Sequence, residues 1–247
     1  MNQKILGVRV DLVNENEILD QIDETIRNNQ KLQIATVNNE FIVEAQKNSQ
    51  FKSVLDTTNL NICDSTGLCY ALRLFYGKRT ARIPGADLFE TICAHCQKND
   101  YSVFFLGGKK SIASRAASRV NQRYKNLKIV GVVDGIAILP NQKNPALIEQ
   151  INRSGANIVF VALGAPKQEL WIANNLKDLN ANCFLGIGGT LDYVSGDLRR
   201  APAWVRRIGM EWFVRLIRQP SRFARIWRAT VVFPLLVIKQ KISKRDS

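Results

Sequence analysis

The chain of 247 residues has a single histidine, two methionines and no apolar run long enough to cross a bilayer. Each scarcity removes a class of function. His95 lies in the helical-looking stretch ADLFETICAHCQKN without a recognisable partner, so Ser-His-Asp and Cys-His machinery has no support. The longest apolar run near the end, residues 229–238, is about half the roughly 20 residues a membrane span needs, and Pro234 interrupts it. That run can lie on a membrane but hardly span one. The opening MNQKILGVRVDLVNENEI lacks the apolar stretch and small-residue cleavage site of a secretory signal, which leads us to expect a cytoplasmic protein. Neither GxGxxG nor GxxxxGK[ST] occurs, which weakens dehydrogenase and ATPase readings. Five cysteines in an intracellular chain argue against a disulfide framework. Cys93, His95 and Cys96 have zinc-like spacing, but no second pair of ligands accompanies them, and packing is the better reading.

What is abundant is positive charge, and it is unevenly placed. Of the net +14, residues 196–247 hold +10, from 13 Lys or Arg against 3 acids. Residues 199–228 alone carry nine arginines and three of the four tryptophans, with Glu211 as their one acid. Such a segment should meet an anionic partner: nucleic acid, lipid headgroups or a diphosphate.

The remainder alternates. Apolar, β-branched runs at 31–37, 59–63, 101–107, 128–133, 157–164 and 182–188 read as buried strands. Amphipathic stretches with helical spacing lie between them, including 40–55, 67–77, 86–99, 111–124, 144–154 and 168–179. This pattern predicts an α/β fold, a Rossmann-like, mainly parallel sheet with helices on both faces, followed by a basic helical appendage. The composition shifts at about residues 195–202, so we expect a catalytic core over 1–195 and an appendage over 196–247.

In such sheets ligands gather beyond the carboxyl ends of the strands. Asp64, ending the run NLNIC, is the most informative carboxylate there: it can serve as a general base, or simply as a helix N-cap. Asp134 is its rival. Gly107 and Gly108 before Ser111 suit a phosphate turn or, equally, a tight strand-to-helix turn. Arg82 can clamp phosphate, and Gln168 can hydrogen-bond a sugar hydroxyl or phosphate. Asn38, Gly135, Lys167, Glu169, Gly188 and Gly189 share these strand ends and complete the candidate substrate contacts.

Taken in order, TVNNEFIVEAQ, CDSTGL, RIPGADLFE, FFLGG, LGAPKQELWI, GIGGTLDYVSG and RRAPAWVRRIGMEWFVRLIRQPSR resemble the WecG/TagA/CpsF family of bacterial glycosyltransferases, from about residue 5 to 228. The resemblance implies an inverting transferase that moves a sugar, N-acetylmannosamine in two branches, from a UDP donor to an undecaprenyl-diphosphate-linked sugar. It implies Asp64 as general base, Thr36 and Asn38 as polar lining of the same pocket, Arg82 near the donor diphosphate, and Gln168 as the motif glutamine. Where the family often has Pro-Asp-Gly, this chain has Cys63, Asp64 and Ser65, so the turn that aims Asp64 is a place for donor or acceptor preference to differ. No Asp-x-Asp occurs; a metal-bridged diphosphate is not indicated, and neither metal nor cofactor is expected. Transfer of another hexose from UDP, or a non-catalytic membrane adaptor, are the alternatives.

If residues 203–218 form one helix, Val205, Ile208, Trp212 and Leu216 share a face, with Arg207, Arg215 and Arg218 opposite, and Pro220 opens a second helix. The appendage then reads as a membrane-surface device, its arginines, Arg222 and Arg225 included, meeting anionic headgroups and a lipid-linked diphosphate. No nucleic-acid motif accompanies the charge, so nucleic acid is not counted among the partners. Exposed apolar faces could also support a homo-oligomer.

Overall fold

The computed structural model describes residues 3–109, 111–134 and 143–243. The chain opens with an antiparallel hairpin, β1 (Gln3–Ile5) and β2 (Val8–Val10), and helix α1 (Glu15–Arg27). Asn14 caps α1, its side chain accepting from the Glu17 amide while the Glu17 carboxylate accepts from the Asn14 amide. Strand β3 (Leu32–Val37) follows, then α2 (Asn39–Ala45) and α3 (Ser49–Thr57), β4 (Leu60–Cys63) and α4 (Thr66–Tyr76). The single helix expected over 40–55 is therefore two, because the Asn48 side chain caps a fresh start at the Phe51 amide. Next come α5 (Gly85–Asn99), β5 (Ser102–Gly107), α6 (Ile112–Arg123), β6 (Lys128–Val133), α7 (Pro145–Ser154) and β7 (Ile158–Ala162). Helix α8 (Lys167–Asn175), β8 (Cys183–Gly186) and α9 (Thr190–Val194) complete the sheet's connections.

The six predicted strands form one sheet in the order β4-β3-β8-β7-β5-β6, and every pairing is parallel. Strands β3, β4, β5, β7 and β8 are buried along their length, as mostly apolar runs require when helices cover both faces, and the polar residues within them, Gln33, Thr36, Asn61 and Ser102, are buried with hydrogen-bond partners. At the β4 edge, Asp11 donates its amide to the Asn61 carbonyl and accepts the Asn61 amide on its carboxylate, both at 2.8 Å, so the chain after β2 covers that edge. Cys93 and Cys96 are buried in the core on α5, and His95 pairs with Asp23 at 2.7 Å.

The basic segment departs from the expected single helix. Helices α10 (Ala203–Arg207) and α11 (Glu211–Arg218) are separated at Gly209, whose φ of +76° lies in the left-handed region that no continuing helix can use. The break splits the expected apolar face: Val205 is buried, whereas Ile208 and Trp212 are exposed. A 3-10 turn (Pro220–Arg222) leads to α12 (Phe223–Trp227), and a π turn (Arg228–Val232) leads to α13 (Phe233–Ser243). The π turn directly precedes Pro234, which lacks the amide that a regular helix would use there. Phe233 and Val237 are buried in the cluster formed by Ile5, Val8, Phe41 and Leu72, so the end of the chain returns to the core. Among the described residues no helix is long and apolar enough to cross a membrane.

Candidate active site

The carboxyl ends of β3, β4, β7 and β8 open into a cleft of about 810 Å³ that Thr36, Asn38, Asp64, Gly164, Gln168 and Gly188 line from the sheet side. Asp64 stands one residue beyond β4. Its amide donates to the Val37 carbonyl at 2.9 Å, and its Oδ1 accepts from the Gly85 amide, at the start of α5, at 3.2 Å. The N-cap reading of Asp64 does not hold: Ser65 caps α4, accepting from the Leu68 amide, and leaves the Asp64 carboxylate turned to the cleft. Burial pushes its pKa up to about 6, against the Gly85 hydrogen bond, the Arg82 charge and an Asn38 hydrogen bond, which favour the ionised form, and with the Glu211 charge, which opposes it. Asn38 spends its side-chain oxygen on the amides of Glu40 and Phe41, capping α2, so its amide end faces Asp64. Thr36 donates its hydroxyl to the Gly186 carbonyl at 3.2 Å, tying β3 to β8 under the cleft floor.

Gln168 is in the cleft wall, yet both ends of its amide are engaged by the protein. Its Oε1 accepts from the amides of Gly164 at 3.1 Å and Gly188 at 2.9 Å, and its Nε2 donates to Glu169 at 2.6 Å. A side chain expected to grip a sugar hydroxyl or phosphate instead clamps the turns after β7 and β8. Glu169 is fully buried and does not reach the cleft; burial raises its pKa to about 7. Gly186 makes room for both, since a Cβ there would lie 2.5 Å from Gln168 Nε2 and 2.6 Å from Glu169 Oε1.

A second lobe of about 880 Å³ continues the cleft toward β5, sharing Gly164, Gly188, Gly189, Arg222 and Arg225 with the first. Gly108, Lys109, Lys167 and Asp192 line it, whereas Gly107, at the end of β5, is not among its lining residues. Asp134 lies outside the lining of both lobes. Burial raises its pKa, but hydrogen bonds from the Ser114 hydroxyl and the Ser111 and Ser114 amides outweigh that and hold it below its ordinary value, which makes it the cap of α6. Arg82 is likewise redirected: its charge acts on Asp64 and Cys69, and it lines neither lobe. Gly135 lies outside the described residues, as does the side chain of Arg207.

The roof comes from the basic segment. Arg215, Arg222 and Arg225 all face the first lobe. Arg215 lies 5.3 Å over the Tyr193 ring, and its buried Nε and Nη2 have no hydrogen-bond partner among the described residues. Arg222 has its pKa lowered to about 10 by burial and by the charges of Arg215 and Arg225. Arg225 forks onto Glu40 at 2.6 and 3.0 Å. Three guanidinium groups crowded at one mouth, two of them short of partners or repelled, make a place for an anion. Arg218 does not join them; it donates to the Arg199 carbonyl beside a separate small hollow. Reasoning from sequence missed Arg200, Glu211 and Tyr193, which line the cleft. Arg200 pairs with Asp87 on the first turn of α5 and stands 3.6 Å from Glu211, and Arg206 reaches Asp87 at 3.5 Å. These pairs latch the roof to the helix whose first amide holds Asp64. Among the described residues no group of three His, Cys, Asp or Glu is placed to hold a metal ion.

A carboxylate at a strand end beneath a cationic roof suits group transfer from a diphosphate, and comparison with known proteins bears on which kind. The family model described as "Glycosyl transferase WecG/TagA/CpsF family" matches residues 3–247. The chain belongs to that family. Among curated members, the chain is 34% identical over 212 residues to the N-acetylglucosaminyldiphosphoundecaprenol N-acetyl-beta-D-mannosaminyltransferase of Bacillus subtilis (strain 168), a match that spans 86% of this chain and 81% of that one. The glycosyltransferase resemblance read from the quoted motifs is thereby established, and with it the mainly parallel α/β fold is seen in the sheet order.

Proposed function

We propose that the chain transfers N-acetylmannosamine, with inversion, from a UDP donor to N-acetylglucosamine linked through a diphosphate to undecaprenol, at the inner face of the cell membrane. The observation that carries this is the placement of Asp64 on the cleft floor opposite Arg215, Arg222 and Arg225. Asp64 removes the proton from the acceptor hydroxyl as that oxygen attacks the anomeric carbon, and the bond to the UDP oxygen breaks on the opposite side. A pKa of about 6 makes Asp64 a stronger base than an ordinary carboxylate while leaving it ionised near neutrality. The departing diphosphate gains negative charge, which the unpartnered Arg215 and the destabilised Arg222 are set to neutralise. The glycine turns at 164 and 188–189, held by Gln168, keep the backbone close on the donor side.

The decisive experiment follows UDP release from UDP-N-acetylmannosamine with a short-chain lipid-diphosphate N-acetylglucosamine acceptor. Acceptor-dependent release should fall about a thousandfold in Asp64→Asn, and wild-type turnover should rise with pH through about 6, because the base works only after losing its proton. Unchanged release in the variant moves the base elsewhere. No release, together with no thermal stabilisation by UDP, removes the UDP-dependent reading.

A further inference from the structure

Two thiols flank the proposed base. Cys63 is the last residue of β4 and directly precedes Asp64, and Cys69 lies in the first turns of α4. Their Sγ atoms are 3.1 Å apart, and both are free. The other three cysteines, Cys93, Cys96 and Cys183, are buried in the core. Cys69 alone is partly exposed. We propose that Cys69 and Cys63 form a thiol-oxidation site, attacked at Cys69 and closed by Cys63, whose disulfide displaces Asp64 and switches the transferase off. The regulatory half rests on the function proposed above; the chemistry of the thiols does not.

The geometry divides the roles. Cys69 sits near the N-terminus of a helix and close to the Arg82 charge, which favour a thiolate, while the neighbouring Asp64 charge opposes it. Its pKa is lowered, chiefly by the hydrogen bond with Cys63 and against the cost of burial, whereas that hydrogen bond and burial raise the Cys63 thiol. With hydrogen peroxide as oxidant, the Cys69 thiolate attacks one peroxide oxygen, and the other leaves as water after taking up a proton, giving a sulfenic acid. The Cys63 sulfur then displaces the hydroxyl from that sulfenic sulfur, its own proton leaving with the hydroxyl as a second water. Two thiols have lost two electrons and peroxide has gained them. Closing the 3.1 Å gap to a covalent bond draws the end of β4 against α4 across the turn made by Asp64 and Ser65. Ser65 is held by its cap of α4 and by Asn39 at 2.7 Å, and Asp64 by Val37 at 2.9 Å and Gly85 at 3.2 Å, so a shift of this turn pulls the Asp64 carboxylate away from the Gly85 amide that aims it.

The site can be tested on the full chain because cleavage after Lys and Arg isolates it. Residues 53–73 contain Cys63 and Cys69, no other cysteine and no internal Lys or Arg. After mild peroxide treatment, that peptide should be lighter by two hydrogens and refuse alkylation, while Cys93, Cys96 and Cys183 still alkylate. UDP release should fall about tenfold or more and return with dithiothreitol. Cys69→Ser should keep the reduced enzyme's turnover and lose its sensitivity to peroxide. Persistence of both thiols in 53–73, earlier oxidation of the three core cysteines, or bond formation with unchanged turnover would each overturn the proposal. A chain that forms the bond but releases no UDP even when reduced refutes the transferase reading and leaves the oxidation site standing.

Discussion

The sheet and the basic segment obey opposite rules. Around the sheet, Phe104, Phe105, Phe160, Phe184 and Trp171 are buried, and the hydrophobic effect needs no further account. In residues 199–227 the order inverts: Trp204, Ile208, Trp212, Phe213, Ile217, Phe223 and Trp227 are exposed, while Arg200, Arg215, Arg222 and Arg225 turn inward. Asp87 and Glu40 hold Arg200 and Arg225 inward, but nothing among the described residues covers the outward rings. On the function proposed above, the inward charges would meet the diphosphate and the outward rings the bilayer that carries the acceptor. The comparison teaches that amphipathicity alone does not say which side faces the protein.

Breaking the inward side should have the largest effect. Arg222→Ala is expected to cost about a hundredfold in kcat/KM for UDP release, with Arg218→Ala, which points elsewhere, close to wild type. Breaking the outward side separates binding from chemistry: Trp212→Ser with Trp227→Ser should abolish flotation with anionic vesicles yet alter turnover on a short, soluble acceptor by less than about threefold. Equal loss of both would mean that the rings support the roof rather than a membrane.

The sheet side yields a smaller effect, on stability. Glu169 has a folded-state pKa of about 7 against 4.5 when unfolded, so between those values the folded chain holds a proton that the unfolded chain releases. Stability contributed by this group is full below about 4.5 and is lost as pH rises to about 7. In Glu169→Gln that slope in the pH dependence of the melting temperature should disappear, while Gln168 keeps an acceptor. The smallest effect expected is none: chelation with EDTA should leave turnover unchanged if, as proposed, the arginines that line the cleft neutralise the diphosphate without a metal.

What the sequence made legible follows the same division. Five sheet strands are buried on both faces and read as mostly apolar runs, and Asp64 could be picked out because it follows one of them. Strands β1 and β2 are three residues each, too short to show a period, and α1 went unrecognised with them. Gln168 was legible as important but not as a clamp, because its partners at Gly164 and Gly188 become neighbours only when β7 and β8 pair. Glu211 escaped because Gly209 ends the helix on which the wheel was drawn, and Arg200 because its partner Asp87 lies 113 residues away and meets it only in the fold.

The latch from Asp87 to Arg200 and Arg206 also sets an order of events during synthesis. Every strand of the sheet is complete at Gly186, whereas the roof arginines arrive between 215 and 225. Synthesis from the N-terminus thus makes the crevice that holds Asp64 before the arginines that cover it.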